Sequence, residues 1–210
     1  MRVHTTKEVL DPQDIADILQ RHERDFVSHV LELKDYYAGK HKILTKEQRS
    51  VSAPNNKIVA NYCEYITNMS TGFFMGQPVA YSSVSGDTDA VSALQDVFRY
   101  NDEADGNLRL AAEASVTGAA YEVLYVDAEA EIRFCAVPSE EVILVLDATL
   151  EENLIAAIRR YRVVSLDGST YSDYVDVYDA HSVTSYDYTA DKLIQNSAPV
   201  PHYFDGVPVI

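Results

Sequence analysis

The spacing of apolar residues changes once along the chain, near Ala119, and that change constrains the fold more than any other feature. Before it, apolar residues recur every three or four positions; after it, every second one. The first period belongs to an amphipathic helix and the second to a strand with one covered face. Helices followed by strands predict an α+β fold: N-terminal helices, then a mainly antiparallel sheet.

Local signals place the elements. Asp11-Pro12 reads as an N-cap with proline at the first helical position, followed by Ile15, Ile18 and Leu19. Phe26, Val30, Leu33 and Tyr37 form a second helical stripe that stops at Gly39, with His22 to Arg24 either a break or a continuation. Residues 40 to 54 are basic and polar, end in Ala53-Pro54, and predict a loop or arm. Asn55 or Asn56 then caps a long helix carrying Ile58, Tyr62, Tyr65, Ile66, Met69 and Phe73, ended by Gly76 and Pro78. Val91, Leu94, Val97 and Phe98 mark a shorter helix and 101 to 106 a turn. Leu108, Ala111, Ala112, Ser115 and Gly118 give a helix with a small-residue face that lets a neighbour approach closely.

Beyond Ala119, the stretches 121–126 and 132–137 flank an acidic turn and predict a hairpin. Strands follow at 141–146, 155–164, 171–178 and 182–188, with Asp167-Gly168 as a turn. In the strand 171–178 Asp173, Val175 and Val177 share one face, and Tyr174, Asp176 and Tyr178 the other. Three stretches result: 1–54 with N-terminal helices and arm, 55–118 helical, and 119–210 β-rich. The apolar end Val207 to Ile210 reads as a strand or linker cut within a larger architecture.

Charge excludes some functions. The net charge is -16, yet residues 1 to 60 hold ten Lys and Arg against nine Asp and Glu, whereas residues 61 to 210 hold seven against twenty-four. Such a surface repels phosphate at long range, which disfavours a sequence-specific DNA binder. No apolar run spans a bilayer and no apolar leader opens the chain, so folding or assembly in a cytoplasm is expected. Cys63 and Cys135, without C-x-x-C spacing, read as buried free thiols.

No constellation for catalysis emerges. Glycine-rich phosphate loops, a G-x-S-x-G elbow and H-E-x-x-H are all missing. His22, Asp25 and His29 share a helix face, as a metal site with a further ligand or as a solvated polar face. The acidic loops at Asp87 and Asp89, and at Asp102, Glu103 and Asp105, suit capping and solubility better than calcium. In the pairs Glu140-Glu141 and Glu151-Glu152, neighbouring side chains point apart, so neither makes an acid/base dyad. The sequon at Asn68 sits in a helix and is discounted. Tyr161, Tyr171, Tyr174, Tyr178, Tyr186 and Tyr188 on the strands fit either a contact surface or a half-buried sheet face. Catalytic, cofactor-binding and metal residues are therefore all expected to be none, and no cofactor is expected.

Leu33 to His41, Pro54 to Val79, Gly118 to Asp127, Pro138 to Asp147, Ala156 to Val163 and His202 to Ile210, in this order, resemble the portal proteins of tailed bacteriophages with long non-contractile tails. Leu33 to His41 is similar to their "Y-Y-x-G" helix end, and Pro54-Asn55-Asn56-Lys57-Ile58-Val59 to Gly72 through Val79 to their next helix, closing on "G-x-x-x-G-x-P-V". Gly118 to Asp127 resembles their "G-x-A-Y" strand, Pro138 to Asp147 and Ala156 to Val163 the strands after it, and His202 to Ile210 their "F-G-x-V-P-V". The resemblance covers about residues 12 to 210. It implies the N-terminal wing region of a structural, non-enzymatic protein, with stem and motor-docking clip expected beyond Ile210. It further implies a dodecameric ring of identical subunits at one capsid vertex, assembled in the host cytoplasm, with no membrane involved. DNA would pass through without sequence-specific binding. Capsid and scaffold proteins would be partners, and terminase and head-completion proteins would dock through the missing regions. A protein-binding adaptor of the phage head is the alternative.

Overall fold

The computed structural model describes residues 1–48, 50, 52 and 54–210. The chain is an α+β protein, with five α-helices among the described residues and a mainly antiparallel sheet. Helix α1 (Pro12–His22) starts where Asp11 and Asp14 cap each other: the Asp14 amide donates to Asp11 Oδ1 at 2.8 Å and the Asp11 amide to Asp14 Oδ2 at 3.1 Å. A π-helical turn, Glu23–Val27, runs without a break into α2 (Ser28–Tyr37). The extra residue of a π turn rotates all that follows by about a quarter turn. It lets Ile15 and Leu19 face the sheet while Val30 is buried further along. Gly39, at φ +76°, then reverses the chain.

Helix α3 (Tyr62–Met75) begins later than the asparagine pair suggested. Residues 54 to 60 are neither helix nor strand, and Asn61, not Asn55 or Asn56, is the cap. The Asn61 amide also donates to the Tyr37 carbonyl at 2.9 Å. That bond ties the helix start to the end of α2. Ala53, the expected end of the arm, lies outside the described residues. Helix α4 (Thr88–Tyr100) is capped by Asp87, whose carboxylate accepts from the Ala90 amide at 3.0 Å. The expected turn 101–106 is shorter: Asp102 takes a left-handed φ of 53° and α5 (Glu103–Thr117) starts at once, with Gly106 inside it.

The larger sheet has the order β1 (Arg2–Thr5), β4 (Val142–Asp147), β5 (Leu154–Val164), β6 (Tyr171–Tyr178), β7 (Ser182–Thr189) and β8 (Lys192–Gln195), with β9 (Val200–Pro201) also on β7. All pairs are antiparallel except β1 with β4, where Arg2 lies opposite Leu144. The first strand had no signature, because four residues with one apolar side chain are no pattern. It forms because the edge of β4 needs partners for its backbone groups.

Strands β4 and β5 are covered on both faces, which explains the unbroken apolar run Val142 to Leu146. On one face Ile143, Val145, Ala156, Ile158 and Val175 pack against Val3 and against Ile15 and Leu19 of α1. On the other, Val142, Ala157 and Tyr178 pack against Tyr121, Val123 and Val137 of the hairpin β2 (Tyr121–Val126) and β3 (Ile132–Val137). Val209 joins this second core and forms an isolated antiparallel bridge with Val123, flanked by backbone hydrogen bonds from Glu122 to Ile210 and from Leu124 to Pro208. Val175 and Val177 pack in the first core and Tyr178 in the second, as the alternation predicted.

Candidate assembly surface

Helix α3 carries apolar residues at the period expected of a core helix, but it docks the wrong way round for that. Its buried residues are Thr67 and Thr71. They face the small-residue side of α5, where Ser115 Oγ reaches Thr67 Oγ1 at 3.5 Å. On a helical projection Tyr62, Tyr65, Ile66, Met69 and Phe73 lie on the opposite side from the threonines. All five are exposed, Ile66 at 60% and Phe73 at 95%. The close approach expected of the small-residue face of α5 therefore occurs, and it brings in the polar side of α3. An apolar stripe this continuous, uncovered among the described residues, marks an interaction surface.

The same outward mounting corrects the thiol expectation. Cys63 sits on α3, which buries only its threonine side, and Cys135 sits on the edge strand β3; both are exposed.

The helical layer is clamped to the sheet at one junction. Lys34 of α2 reaches Glu113 of α5 at 2.8 Å and Glu140 before β4 at 2.6 Å. Glu113 also accepts from the Ser139 amide at 3.0 Å and from the Ser139 hydroxyl, and Ser139 is fully buried. Burial acts against both charges. The Lys34 hydrogen bonds, joined by those of Ser139, outweigh it at Glu113 and hold that carboxyl below the usual range. The two carboxylates likewise hold the Lys34 ammonium above its ordinary value against burial. Glu141 turns the other way, to Arg159 at 2.9 Å, so the adjacent glutamates do point apart.

The hairpin end of the layer is pinned by Asn101, which donates to the Ile132 carbonyl at 2.9 Å and accepts from the Phe134 amide at 3.1 Å. Arg133 lies over the Tyr100 ring at 4.6 Å. Asp127 organises the acidic turn by accepting from the amides of Glu129 and Glu131. Beside it Tyr125, Val126 and Ile132 are exposed.

The strand tyrosines divide between the two readings. Tyr178 and Tyr188 are core residues, and burial pushes both hydroxyls up to about 12. Tyr161 and Tyr174 stack at 5.6 Å, and Arg159 and Arg162 lie over Tyr161 and Tyr171. Tyr171 is exposed at the far end of β6. Of the acidic loops, Asp87 caps α4 as described, whereas Asp102 gives α5 no side-chain cap and Asp105, inside that helix, pairs with Arg109 at 2.6 Å.

His22, Asp25 and His29 are not brought together. Asp25 pairs with Arg24 at 2.6 Å, while His22 is buried, not solvated, and stacks on Phe26 at 5.2 Å. Among the described residues no three His, Cys, Asp or Glu side chains are placed to hold a metal. His22 borders a cavity of about 360 Å³ with Arg160, Tyr161 and Asp173, and neither of its ring nitrogens has a hydrogen-bond partner. Burial, with the charges of the Met1 amine and Arg160, lowers its pKa to about 4.

That lowering makes stability pH-dependent. Between the ordinary histidine value of 6.5 and about 4, the unfolded chain takes up a proton that the folded one refuses. Stability therefore falls as pH falls through this window, by on the order of 2 kcal/mol once the opening of the cavity to water is allowed for. Urea unfolding at pH 7 and pH 4.5 should show a steeper loss for the wild type than for His22→Phe. Parallel profiles would show that His22 plays no such part.

An α+β body with an outward apolar helix face is built to associate, and comparison with known families places it among the structural proteins of phage particles. Residues 16–210 match the family described as phage portal protein, SPP1 Gp6-like, and the chain belongs to that family. No curated protein matches it. Among the described residues no helix is long and apolar enough to cross a membrane.

Proposed function

We propose that this chain forms the wing part of a portal subunit, and that identical copies close into a ring at one capsid vertex through which DNA is packaged and ejected. The observation that carries the reading is the outward apolar face of α3 in a chain of the portal family. A monomer gains nothing from displaying that face to water, whereas a subunit with neighbours buries it. The division into 1–54, 55–118 and 119–210 belongs to this proposal, with the middle stretch supplying the contact helix. So do contacts with capsid, scaffold, terminase and head-completion proteins, and a route through the host cytoplasm to the virion.

The net charge of -16 suits a conduit wall. Phosphate is repelled and DNA slides past without adhering. The role is structural, and no residue is assigned to turnover. Electron microscopy and solution mass of the purified protein test the reading. Closed rings with a central hole are expected; a monomer at every concentration overturns it, and a monomer that binds a capsid protein one to one favours the adaptor instead.

A further inference from the structure

The cavity beside the π-helical turn holds a polar side chain that the fold itself leaves unsatisfied. His22 is 1% exposed and lines this space of about 360 Å³, yet neither ring nitrogen has a hydrogen-bond partner among the described residues. A buried polar group without a partner is costly, and in a cavity it calls for a guest that brings the bond. The π turn contributes Glu23 and Val27 to the same wall, and turns of this kind are frequent at functional sites.

The charges around the cavity decide what the guest is. Four carboxylates line it, and each has a cation. Glu140 is held by Lys34 at 2.6 Å, Glu141 by Arg159 at 2.9 Å, and Asp173 by Arg162 at 2.6 Å. Glu23 is held by Arg160 at 2.8 Å, and its side chain, 58% exposed, is the one of the four that lies mostly in water. Arg160 is fixed: it is 18% exposed and its guanidinium lies over the Tyr188 ring at 5.0 Å. Glu23 can therefore leave for solvent at little cost, and Arg160 cannot follow it. The charges that bear on His22 itself, the Met1 amine and Arg160, are both positive. A site whose loose member is an anion, and whose fixed members are a guanidinium and a ring N–H, takes an anion. A second negative charge on the guest would meet Glu140 and Glu141, so it carries one. Val27 and Leu31 add an apolar strip to the wall.

We propose that this cavity binds a small monocarboxylate with a short apolar chain, which displaces Glu23 from Arg160, accepts from the His22 ring and lays its chain along Val27 and Leu31. The site does not rest on the ring reading.

Saturation-transfer NMR with butyrate on the intact protein at neutral pH tests it. A saturable signal is expected from butyrate, and little from n-butylammonium, which has the same chain and the opposite charge. Glu23→Ala removes the competing carboxylate and should tighten binding roughly threefold, the contribution of a half-exposed ion pair. His22→Phe keeps a ring in place and removes the donor, and should weaken binding at least about tenfold. The proposal is overturned by any of four results: no saturable signal, equal signals from the two probes, Glu23→Ala binding no tighter than the wild type, or a folded His22→Phe that binds as well. Should His22→Phe fail to fold, Glu23→Ala decides by itself, because that side chain faces solvent.

Discussion

Replacing Ile66 and Phe73 together by aspartate is expected to abolish assembly and to leave the melting of the subunit nearly unchanged. The two residues are 60% and 95% exposed in the single chain, and both point away from Thr67 and Thr71, which do the internal packing. Their loss therefore removes no contact from the fold. Surface substitutions of this kind change stability by about 0.5 kcal/mol each. In the proposed ring both side chains are covered. Burying a large apolar side chain is worth about 1.5–3 kcal/mol, and an aspartate in its place must also be stripped of water. The pair should therefore cost at least about 4 kcal/mol per contact, or roughly a thousandfold in the association constant. Sedimentation velocity with thermal melting on the same sample separates the two effects. Rings that persist at wild-type concentrations would remove α3 from the interface. A collapse in melting temperature would show that its outer face supports the fold.

Lys34→Met is the substitution expected to damage the subunit most. It leaves Glu113 and Glu140 beside each other without the cation they share at 2.8 and 2.6 Å. All three side chains are more than two-thirds buried, so water makes up little of the loss. Removing one partner from a buried ion pair costs about 3–5 kcal/mol, and the partial exposure here brings the expectation to about 3 kcal/mol. Met keeps the length of the lysine stem, so the loss is one of charge, not of volume. The pH dependence has a definite sign at each end. The Glu113 carboxyl is held below 4.5, so its contribution is complete above that pH and is lost as pH falls through the lowered value. The Lys34 ammonium is held above 10.5, so its contribution is complete below that pH and is lost as pH rises through the raised value. Urea unfolding of wild type and variant at pH 7 gives the difference directly. A change below about 1 kcal/mol would show that the Ser139 bonds hold Glu113 by themselves.

Much of this molecule was written locally. The Asp11 cap, the Gly39 and Gly76 stops, the acidic hairpin turn and the alternation along β6 all appear where the residues put them. Each depends on side chains within a few positions of the backbone they shape, so a reader of the chain needs no partner to find them. The shift of apolar period near Ala119 likewise decided that helices precede strands, because period is a property of the backbone geometry alone.

Tertiary structure decided the rest. Val3 became part of a core because the edge of β4 was available far along the chain, at Val145, and no pattern in Arg2 to Thr5 announces that. Asn61, and not Asn55 or Asn56, caps α3, and it also bonds the end of α2. Above all, the stripe on α3 told which side of the helix is apolar and was silent on what covers it. Thr67 and Thr71 won the inner position because the small side chains of α5 offered a close surface, and the larger apolar residues were left to face outward. Periodicity encodes the direction in which a helix seeks cover; whether the cover belongs to the same chain is settled only when the whole fold has closed.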